Sequence, residues 1–198
     1  MSKKISELSI FFPFWNEEEN IEKTVSKAQF VANQVATKWE IIMVDDGSSD
    51  NTLKIAQRLA KKDKRLRVIS HQPNRGYGAA LKSGLENAKY NYIVFTDGDG
   101  QFDFTEVTKF IEQIKNADIV IGYRKKRRDK NLFKRLLLMY FLKVWALVLF
   151  RFYCKDIDCA FKMFTRSSLD IILPLRSEGA LISTEILAKA RRKNLKFI

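Results

Sequence analysis

The sequence predicts an α/β protein built on a mostly parallel, doubly wound sheet with helices on both faces. Short apolar runs alternate with segments of helical periodicity between Leu8 and Ile121, the pattern of strand, crossover helix and parallel strand. Tyr92-Ile-Val-Phe95 is continuously apolar, which suits a central strand covered on both faces. The chain has 198 residues and neither repeats nor low-complexity segments, enough for one domain with a sizeable core.

Taken in order, Leu8, Ile10 and Phe12 lie in a first strand that stops at Pro13. Asn16-Glu-Glu-Glu-Asn then reads as a helix start, with Asn16 as N-cap and acids at the positive end of the helix dipole. That helix runs to about Val35, and Trp39–Val44 forms a second strand ending in Asp45-Asp46-Gly-Ser-Ser-Asp50. Asp50 can cap a helix over 51–62, and Arg67-Val-Ile-Ser makes a third strand. Asn74-Arg-Gly-Tyr-Gly leads into a helix ending near Ala88, before the Tyr92–Phe95 strand. A helix near 104–115 and a fifth strand at Ala117–Ile121 follow, joined by right-handed crossovers. Further on, Ser167–Lys193 reads as two helices, with Glu185 in a structural ion pair or facing the site, and Asn194–Ile198 as a strand that has only begun. His71 stands alone and receives no role.

Three strand ends thereby bring Glu17, Asp45, Asp46, Asp97 and Asp99 toward one sheet edge, where α/β sheets bind their ligands. Asp97-Gly-Asp99 can direct two hard oxygens at one divalent cation, and Gln101 offers a third. Mg2+ or Mn2+ held in this way completes its shell with water and substrate phosphates, so the pattern points to a metal and a diphosphate; the plainer alternative is a surface turn with solvated acids. There is no Gly-x-Gly-x-x-Gly after the first strand and no Gly-x-x-x-x-Gly-Lys-Ser/Thr loop. Gly76-Tyr-Gly78 by itself is more often a helix-entry turn than a phosphate cradle. A cation would replace backbone amides as the diphosphate's neutraliser.

Charge divides the chain. Residues 1–120 carry 17 basic and 17 acidic side chains and residues 121–198 carry 19 and 6, so the net +13 resides in the later part. Its densest run is Arg124-Lys-Lys-Arg-Arg-Asp-Lys130, suited to an anionic membrane surface, a phosphorylated substrate or nucleic acid, or simply to a solvated loop. No helix-turn-helix, zinc-finger or RRM-type signature is present, so no nucleic-acid partner is expected. Between Leu132 and Tyr153 no uncharged run is longer than Leu136–Leu142, far short of the ~20 apolar residues of a membrane span. That stretch reads either as an interfacial amphipathic helix anchored by Trp145 and Phe150 or as a core helix on the sheet. The N-terminus lacks a signal-peptide pattern, and Cys154 and Cys159 suit reduced thiols. The expected location is cytoplasmic, peripheral at the inner membrane face.

Pro13-Phe-Trp-Asn16-Glu17-Glu18, Val44-Asp45-Asp46-Gly-Ser-Ser-Asp50, Asn74-Arg75-Gly76-Tyr77-Gly78-Ala79 and Thr96-Asp97-Gly98-Asp99-Gly-Gln101-Phe102 together resemble the family 2 glycosyltransferases. The resemblance is strongest to the branch of dolichol-phosphate mannosyltransferase and bacterial polyprenyl-phosphate enzymes. It implies the GT-A fold, a nucleotide-sugar donor (GDP-mannose or UDP-glucose type), Mg2+ or Mn2+ as cofactor, and inversion at the anomeric carbon. On the family's pattern, Pro13, Trp15, Glu17 and Asp45 line the base and ribose pocket, and Asn16, Asp46, Gly76 and Gly98 complete the donor set. Asp97 reaches nucleotide and metal, while Asp99 and Gln101 hold the metal. Asp-Gly-Asp replaces the family's Asp-Ala-Asp with the same spacing.

The resemblance extends to Gly122-Tyr-Arg124, Lys134-Arg135 and Asp156-Ile-Asp158-Cys-Ala-Phe-Lys162, which would serve the sugar and the acceptor phosphate. Arg124 and Arg135 are then expected on phosphate oxygens, and Asp156 on the acceptor or sugar hydroxyls, or else in a loop ion pair. Lys162 stands where the family more often has Arg. Residues 1–122 form the nucleotide-sugar and metal half and 123–198 the acceptor and membrane-facing half, in a chain expected to stop short of its natural end. The implied acceptor is a polyprenyl or dolichyl phosphate; the alternatives are a sugar hydroxyl in cell-wall or capsule assembly, and a non-catalytic membrane-associated module.

Overall fold

The computed structural model describes residues 4–123 and 156–198. The basic run, Arg124, Arg135 and the apolar stretch 132–153 lie outside the described residues, and so do the readings attached to them.

Six strands form one sheet: β1 (Ile5–Phe14), β2 (Ala36–Asp45), β3 (Leu66–Ser70), β4 (Tyr92–Phe95), β5 (Ile119–Ile121) and β6 (Lys162–Thr165), in the order β3-β2-β1-β4-β6-β5. β1 to β4 pair in parallel, and β6 lies antiparallel between β4 and β5. Helices α1 (Ile21–Val35), α2 (Thr52–Lys62), α3 (Tyr77–Asn87), α4 (Val107–Gln113), α5 (Arg166–Ile172) and α6 (Ile182–Arg192) cover both faces.

Strand alternation sorts the core. Leu8, Ile10, Phe12 and Phe14 of β1 pack with Val25 and Ala32 of α1, Leu59 of α2 and Val107 of α4. Phe11 points the other way, among Leu81 and Leu85 of α3, Leu169 of α5 and Ile186 of α6, because successive side chains of a strand take opposite faces. Phe11, Phe12, Phe14, Phe95 and Phe164 are essentially inaccessible, and full burial of each contributes roughly 1.5–3 kcal/mol.

Four details depart from the sequence reading. β1 does not stop at Pro13: its register continues through Pro13 against Val44 and Phe14 against Asp45. The β1–β4 ladder has already ended at Phe11 opposite Phe95, so the missing N–H of Pro13 deprives no neighbouring strand of a bond. Asn16 is not a helix cap, since α1 starts at Ile21 with Asn20 at the cap position. The sequence pattern assigns no element to Lys162–Thr165, where the structure has β6. The nascent strand at the end is a single parallel bridge from Phe197 to Ile119, supported by the Ile121 N–H donating to the Ile198 carbonyl at 2.8 Å. Among the described residues no helix is long and apolar enough to cross a membrane.

The loop after β4 is fastened to α1 by Asp103, whose carboxylate meets Lys27 Nζ at 2.8 Å and accepts the Thr105 N–H. The Lys27 ammonium, then the Thr105 donors, lower its pKa from 3.8 to about 2. A depressed pKa means that this stabilisation is present above the unfolded-state value of 3.8 and is lost as pH falls through about 2. Both partners are about half exposed, which limits the effect to about 1 kcal/mol or less. Asp103→Asn should therefore lower the urea midpoint slightly at pH 5, with the difference from wild type vanishing near pH 2.

Candidate functional site

Parallel pairing of β1, β2 and β4 carries their acidic ends to one edge, where a cleft of about 450 Å³ opens. Pro13, Phe14, Trp15 and Glu17 follow from β1, Asp46 from β2, and Asp97, Gly98 and Asp99 from β4; Asn74, Gly76, Tyr77 and Ala80 close it from α3 and the loop before it. Trp15 is 59% exposed, so its ring is available to a planar partner.

The turns beneath β1 and β2 are stitched together. The Asn16 N–H donates to Ser48 Oγ at 3.0 Å, and Asn16 Oδ1 accepts the Ser49 N–H at 2.8 Å. Asn16 has φ 54°, and it shapes the rim without lining the cleft. The Glu17 N–H donates to Thr52 Oγ1, and Asn20 Nδ2 donates to Glu17 Oε2 at 2.6 Å. Asp50 accepts the N–H groups of Thr52 and Glu18, so it braces both α2 and the β1 turn, although the cap position of α2 is Asn51 and not Asp50.

The paired aspartates of β2 have different environments. Both carboxylate oxygens of Asp46 are engaged: Oδ1 with the Arg75 N–H at 3.0 Å and His71 Nδ1 at 2.7 Å, Oδ2 with the Gly76 N–H at 2.8 Å. Asp46 lines the cleft, and the same carboxylate holds the loop before α3 through these three bonds. Asp45 is 1% exposed, and its Oδ1 has no hydrogen-bond partner among the described residues. A buried oxygen without a partner is costly, and Asp45 lies outside the cleft lining.

Asp97 accepts the Tyr77 hydroxyl at 2.9 Å, and Asp99 Oδ1 accepts the Gln101 N–H at 3.0 Å. Gln101 is exposed and is not among the lining residues; its N–H is the group that meets Asp99. Among the described residues no group of three His, Cys, Asp or Glu side chains could form a metal cage. Two hard carboxylates facing a cleft suit Mg2+ or Mn2+, which draw remaining ligands from phosphate and water. The donor set therefore fits such an ion.

β6 runs against β4 with Lys162 opposite Phe95, so the segment before it, 156–161, returns to this same edge. Asp156 is 3% exposed and lies outside the cleft lining. Lys162 is fully buried, with Nζ donating to the Cys159 carbonyl and to Ser183 Oγ at 3.2 Å, a packing role for that ammonium. Glu185 accepts the N–H groups of Arg176 and Ser177 and pairs with Lys189 Nζ at 2.8 Å. Burial works to raise its pKa, but the Lys189 ammonium and the two N–H groups outweigh it and hold the carboxyl below its usual range. Glu185 is thus structural.

Phe14, Asn74, Tyr77 and Ala80 are lining residues that were not picked from the sequence. For Asn74 and Tyr77 the signal was available, since both lie in the Asn-Arg-Gly-Tyr-Gly motif already singled out.

A family model described as Glycosyl transferase family 2 matches residues 9–170. The chain is 31% identical over 212 residues to the dolichyl-phosphate beta-glucosyltransferase of Saccharomyces cerevisiae, covering 95% of this chain and 64% of that protein. It is 32% identical over 126 residues to the dodecaprenyl-phosphate galacturonate synthase of Rhizobium johnstonii, covering 62% of this chain and 37% of that protein. The chain thus spans less than two thirds of the length of either relative. Among solved structures, the glucosyl-3-phosphoglycerate synthase of Mycobacterium tuberculosis in complex with Mn2+, UDP and glucosyl-3-phosphoglycerate superposes with a TM-score of 0.69 at 20% identity, covering 95% of this chain and 66% of that one. That likeness establishes the fold as GT-A.

Proposed function

Because the chain belongs to glycosyl transferase family 2, we propose that it is an inverting, metal-dependent glycosyltransferase that moves a hexose from a nucleotide sugar to a polyprenyl or dolichyl phosphate at a membrane face. The observation that carries this reading is the cleft itself, which puts Trp15 and Pro13 in one space with Asp97 and Asp99. An aromatic face suits the base of a nucleotide-sugar, and a pair of hard oxygens suits the metal that its diphosphate binds. The names of the yeast and Rhizobium relatives support the lipid phosphate acceptor.

In this reading Trp15 and Pro13 hold the base; Asp45, assigned to the base or ribose by the resemblance, is buried at the end of β2 outside the cleft lining. Asp97 and Asp99 would hold the Mg2+ or Mn2+, which when bound supplies Lewis-acid stabilisation of the departing diphosphate. A phosphate monoester is already ionised at neutral pH, its second pKa being about 6, so the acceptor requires no general base. Its oxygen bonds to the anomeric carbon as the bond from that carbon to the diphosphate oxygen breaks on the opposite face. The electron pair leaves with the nucleoside diphosphate, and configuration inverts. Arg124 and Arg135, from sequence alone, are assigned to the acceptor's phosphate, for which guanidinium geometry is suited. The 124–130 basic run is assigned to anionic lipid, where each Lys or Arg contributes about 1 kcal/mol.

The full-length protein, incubated with labelled UDP-glucose or GDP-mannose, polyprenyl phosphate and Mg2+ or Mn2+, should yield an organic-extractable lipid-linked sugar. Transfer confined to oligosaccharide hydroxyls, or no transfer from any common donor, would overturn the proposal.

A further inference from the structure

His71 is buried at 7% exposure, yet both nitrogens of its ring are engaged: Nδ1 lies 2.7 Å from Asp46 Oδ1, and Nε2 lies 2.9 Å from Ser83 Oγ on α3. An ionised carboxylate only accepts, so the ring proton sits on Nδ1, and in the neutral imidazole Nε2 accepts the Ser83 hydroxyl. The backbone of His71 is fixed as well, its N–H donating to the Asp45 carbonyl at 2.9 Å. The imidazole therefore joins the end of β2 to the middle of α3.

From Asp46 the connections continue toward the metal-binding acids. Its carboxylate holds the N–H groups of Arg75 and Gly76, and its carbonyl accepts Asn74 Nδ2 at 2.6 Å. Gly76 is the cap residue of α3, and Tyr77, the first residue of that helix, donates its hydroxyl to Asp97 at 2.9 Å. Every link from Ser83 through His71, Asp46 and the Arg75-Gly76 amides to Tyr77 and Asp97 is a hydrogen bond or a peptide bond.

We propose that His71 is a positioning residue that sets Asp97 for metal and diphosphate binding, acting through Asp46 and the first turn of α3. This rests on the donor-site reading above. The order Asp46, His71, Ser83 also matches a hydrolytic relay, but Ser83 lies outside the cleft lining and so has no bound substrate to attack. The connected end of the network is Asp97.

The test measures Mn2+ binding by electron paramagnetic resonance, with UDP and separately with GDP present, on the full-length protein and its variants. His71→Leu should weaken Mn2+ binding by about 10–100-fold, the usual effect of losing a group that orients a metal ligand. His71→Asn, whose amide can still donate to Asp46, should restore most of it. Tyr77→Phe should weaken binding similarly, and the double variant should be no worse than the weaker single one, because both changes cut one chain of contacts. If His71→Leu does not fold, His71→Gln, which reaches toward Ser83 without the close donor to Asp46, takes its place with the same expectation.

A lowered melting temperature with unchanged Mn2+ binding would overturn the inference, as would losses that simply add in the double variant. Wild-type protein that binds no Mn2+ with either nucleotide would instead remove the donor-site reading itself.

Discussion

The Asp97→Asn and Asp99→Asn proteins are expected to fold like the wild type and to lose both Mn2+ binding and sugar transfer. The amide is isosteric with the carboxylate but uncharged. In Asp99→Asn the Gln101 N–H still finds an oxygen at the Asp99 Oδ1 position, so the loop keeps its shape. What is lost is charge on the two acids that face the cleft together. Metal stabilisation of a developing diphosphate is worth several kcal/mol, and each 1.36 kcal/mol is a factor of ten. A fall of about 10³-fold in kcat/KM is the result to look for, with thermal unfolding within a degree or two of wild type. Full transfer by both variants would remove the two acids from the chemistry.

Gly98→Ala should have the next largest effect, from a single methyl group. A Cβ there would stand 2.4 Å from the Phe14 ring and 2.8 Å from the Pro13 carbonyl oxygen. Neither neighbour can yield easily, since Phe14 is 1% exposed and packs on Phe12 at 5.9 Å between ring centroids. The relief must come from the loop, and Gly98 sits between Asp97 and Asp99, the two acids assigned to the metal. Overpacking costs about 1–3 kcal/mol, and displacing a reacting arrangement by about 1 Å can cost 10²-fold in rate. Activity should therefore fall by about 10²-fold, alongside a modest drop in melting temperature. Gly179→Ala, where an added Cβ meets nothing within 4 Å, is the control and should behave as wild type. Equal activity in both variants would mean that the close approach at Gly98 does not hold the acids.

What the sequence disclosed and what it concealed follow from the range of the interactions. The acid-tipped strands were legible because an apolar run and the carboxylate after it are neighbours in the chain, as in Phe95-Thr-Asp97. The two covered faces were legible from Tyr92-Ile-Val-Phe95, whose Ile93 and Phe95 pack on one side of the sheet and Val94 on the other. β6 was hidden because it is four residues long, begins with a lysine and runs against its neighbours, whereas the parallel crossover pattern is what alternation announces. His71 was opaque because its partners are 25 and 12 residues away, and nothing local marks a histidine that joins two elements. Asn16 misled for a related reason. An Asn before three glutamates suits a helix cap, but here the side chain bonds a loop 33 residues further on, and that long-range contact prevailed over the local preference.

The place of β6 between β4 and β5 has a consequence for a chain emerging from the ribosome. β1, β2, β3 and β4 can complete their mutual ladders once residue 95 is out, since all of those pairings lie within residues 5–95. β5 cannot join them, because its ladder partners are Lys162, Met163 and Phe164, with Phe197 beyond on its other side. Synthesis at about 5–20 residues per second leaves Ile119-Val-Ile121 waiting for seconds with apolar side chains and unpaired amides. A nascent chain whose last emerged residue lies between 125 and 155 should thus present this segment to chaperones, and one that has emerged well past residue 165 should not.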